Sequence, residues 1–190
     1  MAGIQQVLAS LGGSTPSTTY ATWDPAFKGA NMTLSGGNLT AYNTSNGIVR
    51  STIGKSTGKW YWELTATSSF AMLGVCNSSE VSSSAYVGQT TNAWGIYAGD
   101  GGLYTNAAYA GIYCGTFSTG NIIAFALDAD AKTVNVYLNN VYQSTITLTG
   151  TTFYAECGIN ASSAPQNTAN FGASALTYTP PSGYASGLYT

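Results

Sequence analysis

The sequence predicts an all-β domain, built as an antiparallel sandwich of two sheets. Several short segments alternate apolar and polar residues with a period of two, which is the pattern of half-buried strands. Turns rich in Gly and Asn separate these segments, and such spacing is typical of a sandwich. Helical periodicity is confined to the start of the chain. At 190 residues the chain can bury a substantial core within one domain.

The first element is a short amphipathic segment at the amino terminus. Its apolar stripe has the helical spacing i, i+3, i+4 and i+7 and consists of Ile4, Val7, Leu8 and Leu11. Because so short a helix is marginal in water, something must cover the stripe. It either packs on its own sandwich or docks on a partner, and the Ser/Thr-rich linker that follows favours docking. We therefore expect a docking segment at 1–13, a linker at 14–21 and the sandwich domain at 22–190.

The strand signals follow in order along the domain. In residues 60–65, Trp60, Trp62 and Leu64 alternate with residues that include Glu63, which predicts a strand with its tryptophan face buried and Glu63 outward. Residues 122–127 are apolar on both faces and predict a central strand. Residues 128–133 read as a hairpin connection to another alternating strand at 134–139. The Gly-rich stretch 98–102 is a hairpin loop, since no helix follows it to bind phosphate.

A series of landmarks occurs in one order along most of the chain. They are GKWYWEL (58–64), LGV (73–75), WGIY (94–97), GNIIAFALD (120–128), VYLNN (136–140), NFG (170–172) and YTPPSGY (178–184). In this order they resemble the SPRY domain over roughly residues 22–184. The resemblance implies a jelly-roll-type β-sandwich that binds partners through loops and does no chemistry. Where that family usually has Asn-Gly, this chain has Asn139 and Asn140; Asn also tolerates a left-handed turn, so a hairpin is still expected.

The low charge of the chain limits its function. Charged residues make up 6% of it, against roughly 25% in an ordinary soluble domain. A surface of Ser, Thr, Asn, Gly and Tyr suits an extracellular or assembled structural protein, although a β-rich domain can simply tolerate low charge. A net charge of −2 with five basic residues argues against nucleic acid as a partner. No apolar run approaches the ~20 residues of a membrane span, and no secretion signal is visible.

Groups that could catalyse a reaction or bind a metal are few. The chain has no His, which removes His-dependent triads and most zinc sites, and we expect no metal and no cofactor. Cys76, Cys114 and Cys157 have no metal-type spacing, and three reduced thiols are favoured over one disulfide with a thiol left over. The best enzymatic pair is Glu63 and Glu156, which would suit a sandwich glycosidase if the carboxyls were close. Alternation instead makes both of them outward-facing surface residues.

Aromatic residues supply the candidates for recognition. Trp60, Trp62, Trp94 and Phe171 coincide with landmarks and are assigned to the core. Tyr beside Ser, Asn and Gly makes an adaptable contact surface, although strand packing is the alternative for each Tyr. The resemblance places the partner surface at one end of the sandwich, on loops around 77–85, 98–102, 106–111 and 139–141. The candidate residues are Tyr86, Asp100, Tyr104, Asn106, Tyr109, Tyr113, Asn139 and Asn140.

These expectations favour a non-catalytic accessory protein that decorates a bacteriophage particle. The docking segment is similar to the leading peptides of small phage virion proteins, an argument by analogy. Partners would be other virion proteins of capsid or tail and copies of the chain itself. The protein would be made in the host cytoplasm and assembled at the virion surface. The alternative is a receptor-recognising appendage domain that binds bacterial surface glycan, and a sandwich-fold glycosidase is a third hypothesis.

Overall fold

The structure is a computed structural model that describes residues 17–43, 45–159 and 166–190. In those residues the chain forms fifteen strands and no helix. The strands are β1 (Trp23–Lys28), β2 (Met32–Ser35), β3 (Thr40–Asn43), β4 (Gly47–Ser51), β5 (Lys59–Ala66), β6 (Ala71–Asn77), β7 (Ala93–Tyr97), β8 (Gly102–Thr105), β9 (Ala108–Ile112), β10 (Ile122–Asp128), β11 (Thr133–Leu138), β12 (Val141–Thr147), β13 (Phe153–Ile159), β14 (Gln166–Asn170) and β15 (Ala185–Ser186). The predicted all-β class is confirmed.

The strands form two sheets that pack face to face. The seven-stranded sheet has the order β1-β4-β13-β6-β7-β8-β9. The eight-stranded sheet has the order β12-β11-β10-β5-β14-β3-β2, and β15 pairs parallel to β5. All other pairings are antiparallel. The predicted central strand is β10, which lies between β5 and β11 with all seven of its residues paired to β5.

The main core lies between the sheets and contains the predicted tryptophan face. Trp62 is fully buried, and its ring stacks on Phe125 with 5.7 Å between centroids. Trp23 packs edge-on against Phe171 at 5.1 Å. Trp60 lies at the margin, partly buried against the core. Aromatic side chains bury large apolar areas, so these rings contribute much of the hydrophobic free energy of folding.

The outer faces of both sheets are also covered, which alternation did not predict. Residues 78–92 cross the seven-stranded sheet so closely that a Cβ on Gly95 would lie 2.4 Å from the Val87 carbonyl oxygen. Residues 173–187 cross the eight-stranded sheet, where Leu176 and Tyr184 pack on the second face of β5 and β10. The expectation that Glu63 lies at the surface is therefore wrong: it points outward but is only 2% exposed.

Turns define the two ends of the sandwich. The upper end carries the β7–β8 turn (98–101) and the β11–β12 turn (139–140). The lower end carries the β8–β9 turn (106–107) and the β10–β11 turn (129–132). Asn139 and Asn140 have φ values of 47° and 69°. Two successive left-handed residues are what a two-residue hairpin turn requires, so the expected turn is confirmed.

The start of the described chain is paired at the lower end. Thr19 and Thr190 exchange backbone hydrogen bonds of 3.2 and 2.9 Å, and the Ala21 N–H donates to the Leu188 carbonyl at 2.8 Å. These residues belong to the range 14–21 that the sequence assigns to a linker, so its last part is structurally continuous with the sandwich. The docking segment 1–13 lies outside the described residues.

Candidate interaction surface

Three tyrosine rings form a contiguous patch on the outer face of the seven-stranded sheet. Tyr97 ends β7, Tyr104 lies on β8 and Tyr109 on the edge strand β9. The rings of Tyr97 and Tyr104 meet edge to face at 6.3 Å, and those of Tyr104 and Tyr109 at 5.7 Å. We call these three rings, with Asp100 and Ile112, the tyrosine patch.

Asp100 fixes the centre of the tyrosine patch. One carboxylate oxygen accepts the Tyr104 hydroxyl at 2.7 Å, and the other accepts the Gly102 N–H at 2.7 Å. The hydrogen bond to Asp100, followed by burial, raises the pKa of Tyr104 to about 12. The phenol therefore stays neutral at physiological pH and keeps donating to Asp100. This arrangement orients the Tyr104 ring on which Tyr109 rests.

The outer part of the tyrosine patch is exposed and apolar. Tyr109 is 53% exposed and Ile112 is 64% exposed. Ile112 pairs with Gly102 and Tyr109 with Tyr104, with a register irregularity between the two pairs. Gly111 lies at that irregularity with a φ of 121°, a conformation that glycine adopts without strain. The bulge brings Ile112 to the same face as Tyr109, and for this reason the alternation in the sequence did not single out Ile112.

The predicted recognition residues do not all share one end of the sandwich. Asp100, Asn139 and Asn140 lie at the upper end, and the Tyr113 N–H donates to the Gly101 carbonyl beside them at 3.0 Å. Asn106 lies in the turn at the lower end.

Tyr86 belongs to residues 78–92 and packs against the apolar cluster under that segment, together with Tyr97 and Tyr104. The single loop surface at one end is therefore wrong, since the strand directions separate its loops. The structure brings Asp100, Tyr104 and Tyr109 together and adds Tyr97 and Ile112.

The proposed glycosidase pair is not assembled. Glu63 lies on β5 of the eight-stranded sheet, and Glu156 lies on β13 of the seven-stranded sheet. Both side chains face away from the main core, so the core separates them. The Glu63 carboxylate accepts the backbone N–H groups of Thr177 and Tyr178 at 2.9 and 2.8 Å, which holds residues 173–187 in place. A pair on opposite outer faces cannot act on one glycosidic bond.

Glu156 is buried beneath residues 78–92. Its side chain is 0% exposed and neither carboxyl oxygen has a hydrogen-bond partner among the described N and O atoms. Arg50 is its cross-strand neighbour, but the guanidinium lies between the rings of Phe27 and Tyr154, at 3.8 and 4.3 Å from their centroids. Burial raises the pKa of Glu156, and the Glu80 carboxylate raises it further. The acid is therefore favoured in its neutral form. Because Glu63 and Glu156 are both buried, the expectation that they are surface residues is wrong for each.

The remaining reactive groups are dispersed. Cys76, Cys114 and Cys157 are buried free thiols, and burial raises the pKa of Cys114 to about 11. Within the described ranges, no three His, Cys, Asp or Glu side chains are grouped so that they could hold a metal ion. None of the residues that the structure describes forms a helix long and apolar enough to cross a membrane.

Two clefts are lined by residues other than the rings of the tyrosine patch. One of about 440 Å³ is lined by residues 172–180 with Tyr20 and Ser186. Another of about 260 Å³ lies at the upper end, among residues that include Gly99, Phe117 and Asn121. Neither is lined by a tyrosine of the patch. The aromatic surface is thus an open face rather than the wall of either cleft.

These features define a β-sandwich domain with covered outer faces and an exposed aromatic patch. Among solved structures, it is similar to the SPRY domain of human HERC1, with 16% identity, a TM-score of 0.68, and coverage of 77% of this chain and 96% of that one. It is also similar to the TRIM65 PSpry domain, with 16% identity, a TM-score of 0.65, and coverage of 80% and 92%. A human SPRY domain gives 13% identity, a TM-score of 0.62, and coverage of 76% and 98%.

The chain has the SPRY-domain fold, as its sequence landmarks predicted. No protein-family model matches the sequence, and no curated protein matches it. At these identities the likeness concerns the fold alone.

Proposed function

We propose that this chain is a non-catalytic protein-interaction domain whose tyrosine patch contacts a protein partner. The observation that carries the proposal is the exposed Tyr109 ring beside Ile112, on a base formed by Tyr104 and Asp100. Tyr provides a large contact area at low cost in side-chain entropy, and an oriented base reduces that cost further. The dispersed carboxyls and buried thiols support a role in binding rather than in catalysis.

An open face supports a protein partner over a sugar. Sugar-binding aromatic residues usually line a concave site with free polar groups that fix the ligand. Here both Asp100 oxygens already accept hydrogen bonds within the domain. Glycan recognition by a receptor-binding appendage is the alternative. The binding experiment with Tyr109→Ser, described below, separates a protein partner from a glycan.

The finer proposal is that the domain decorates a bacteriophage particle and is attached through the segment 1–13. Its support is the amphipathic stripe of that segment and the 6% charged composition, which suits an assembled surface. In this proposal the partners are other virion proteins of capsid or tail, and the protein is located at the virion surface.

The test offers the full chain to assembled phage particles and to intact bacterial cells as separate baits. Leu8→Asp places a charge within the apolar stripe and should abolish binding to particles, because an unpaired charge is costly to bury. Gln6→Asp adds the same charge on the opposite side of the predicted helix and should leave binding unchanged. Equal binding by both variants would contradict attachment through this segment.

A second pair of variants tests the tyrosine patch. Tyr109→Ser removes the exposed ring, and we expect at least a tenfold loss of affinity for a protein partner, since exposed aromatic anchors often carry ~2 kcal/mol or more. Phe70→Ser removes a ring that is 42% exposed and lies outside both the tyrosine patch and the sheet edges, and it serves as the control. The receptor-binding alternative would be favoured if the chain binds cells and if both Tyr109→Ser and removal of the cell-surface glycan abolish that binding. Unchanged binding by Tyr109→Ser would exclude the tyrosine patch from recognition.

A further inference from the structure

The free side of β12 is the longest unprotected sheet edge in the described molecule. Four strands lie at sheet edges: β1 and β9 in one sheet, and β2 and β12 in the other. β1 carries Asp24, Pro25 and Lys28 and pairs irregularly with β4. β2 has four residues, and β9 contains the bulge at Gly111. Short length, charge, Pro and bulges all discourage a second chain from pairing.

β12 has few of these protective features. Its seven residues read VYQSTIT, without charge or Pro. Its one register irregularity lies near its start, opposite Val136 and Tyr137, and the pairing from Ser144 to Thr147 is regular. Among the described residues, no strand pairs with its free side.

The backbone geometry shows which groups this edge presents. The Leu148 N–H donates to the Lys132 carbonyl at 2.8 Å, and Ile146 pairs with Val134 in the same ladder. In an antiparallel ladder, alternate residues direct both backbone groups to the same side. The N–H and C=O groups of Thr145 and Thr147 therefore point away from β11 and are available to a further strand.

The side chains at this edge suit strand pairing. Val141 and Tyr142 are 62% and 54% exposed, and Thr145 and Thr147 are also exposed. β-branched and aromatic residues form the more stable cross-strand pairs. The Tyr142 hydroxyl lies 2.9 Å from the Thr145 hydroxyl, which donates to the Asn135 amide oxygen at 2.6 Å. These polar groups are satisfied within the strand pair, so a partner strand would not leave them unpaired.

We propose that the free edge of β12 pairs antiparallel with the same edge of a second copy, joining two eight-stranded sheets across a twofold axis. β12 itself carries no charge that could pair with a charged partner strand, and a second copy brings an equally uncharged strand. The contact is isologous and closes on itself as a dimer. Pairing β12 to β2 of the next copy would use only four residues of β2. The proposal goes beyond the proposed function, because the tyrosine patch lies on the other sheet.

The first test measures mass by light scattering across a concentration series of the full chain. We expect the wild type to approach twice the 19.6 kDa of one chain as concentration rises. Thr147→Lys places a charge at the pairing edge and should halve the mass to that of a monomer. Thr33→Lys makes the same change at an exposed position of β2, the opposite edge of the same sheet, and should remain a dimer.

The second test locates the interface without a variant. Hydrogen exchange of the wild-type amides of Thr145 and Thr147 should slow as concentration rises, since pairing protects them. Circular dichroism of Thr147→Lys checks that its sandwich is intact. A wild type that stays monomeric, a Thr147→Lys protein that stays dimeric, or exchange at these amides that does not depend on concentration would each overturn the proposal. Partner binding that Tyr109→Ser leaves unchanged, with the dimer intact, would count against the proposed function alone.

Discussion

Glu156 is a fully buried carboxyl on the outer face of the seven-stranded sheet. Glu156 has the Cys76 thiol as its hydrogen-bonding neighbour, a weak donor, and no N–H or O–H partner among the described residues. A buried carboxyl in such surroundings is costly when ionised. The nearest opposite charge, Arg50, is occupied by the Phe27 and Tyr154 rings, and Glu80 adds a like charge. Glu80 itself accepts the Ser84 and Thr90 hydroxyls. Burial and the Glu80 carboxylate together favour the neutral form of Glu156.

This environment predicts a stability that falls as pH rises. The pKa of Glu156 is raised in the folded chain above the 4.5 of an ordinary glutamate, so between these two pKa values the folded state binds more protons than the unfolded state. Its stabilising contribution is complete below about pH 4.5 and is lost as pH rises toward the folded pKa. Glu156→Gln should reduce the decline by up to about 1.4 kcal/mol per pH unit, the slope of one proton. Urea unfolding from pH 5 to 8 measures it, and an unchanged slope would show that Glu156 ionises alike in both states.

Trp62 gives the largest single-residue prediction for the core. It is fully buried and stacked on Phe125, so Trp62→Ala should lower the free energy of unfolding by ~3–5 kcal/mol. Trp60→Ala removes the same side chain from a partly buried position at the core margin and should cost less. Denaturant unfolding of both variants provides the measurement. Equal losses of unfolding free energy in the two variants would mean that the different burial of the two rings does not determine how much each stabilises the domain.

At the scale of elements, the two-residue hairpin turns require a left-handed backbone conformation that some residue types adopt more easily than others. The β11–β12 turn uses Asn139 and Asn140, and the β8–β9 turn uses Asn106 and Ala107, all with positive φ. Asn adopts this conformation at low cost, but Ala does not. Ala107 at φ 56° is therefore the strained residue of the pair. Its N–H donates to the Gly88 carbonyl at 3.0 Å, which anchors the turn to residues 78–92.

Relief of this strain should stabilise the domain. Ala107→Gly should raise the free energy of unfolding by about 0.5–1 kcal/mol, because the relief exceeds the added entropy of the unfolded chain. Ala110→Gly makes the same change in β9 at a residue without positive φ and should lower stability by a similar amount. Thermal unfolding of both proteins measures the two signs. Destabilisation by both would mean that Ala107 carries no backbone strain.

Local patterns predicted the strands well because a strand's faces follow from its own residues. Alternation placed Trp62 inward and Glu63 outward, and both directions are confirmed. What it missed is the burial of Glu63, since residues 173–187 that cover it lie more than a hundred positions away in the chain. The bulge at Gly111 likewise carries no alternation signal, so Ile112 was missed.

For the whole molecule, the two coverings matter more than any single strand. Residues 78–92 bury Glu156 and support the tyrosine patch, and residues 173–187 bury Glu63. These segments have no strand periodicity of their own, so the sequence could not indicate which sheet each would cover. The division of the predicted loops between the upper and lower ends was also missed, because it depends on the order and direction of the strands in the sheets. The order of the sequence landmarks still indicated the SPRY fold, because that order extends over most of the chain rather than over one segment.

The carboxyl-terminal segment connects the parts of the sandwich. Leu188 is fully buried in the main core, its N–H donates to the Phe171 carbonyl at 2.9 Å, and its carbonyl accepts from Ala21. Next to it, the Tyr189 ring packs edge-on against Trp60 at 5.3 Å and Tyr20 at 5.4 Å. One short stretch thus joins the first described residues, β5 and the end of β14. Loss of the contacts made by this stretch should therefore destabilise segments that are far apart in the sequence.

Leu188→Ala tests this connection. The substitution should lower the free energy of unfolding by ~2–5 kcal/mol, as other buried Leu→Ala changes do, and should speed hydrogen exchange of the Ala21 amide. Leu176→Ala deletes the same atoms from a half-buried position in residues 173–187 and should cost less, with no effect on Ala21. Denaturant unfolding with exchange measurements gives both quantities. If Leu188→Ala destabilised the domain but left Ala21 exchange unchanged, the pairing of Ala21 would open independently of Leu188, and this connection would be wrong.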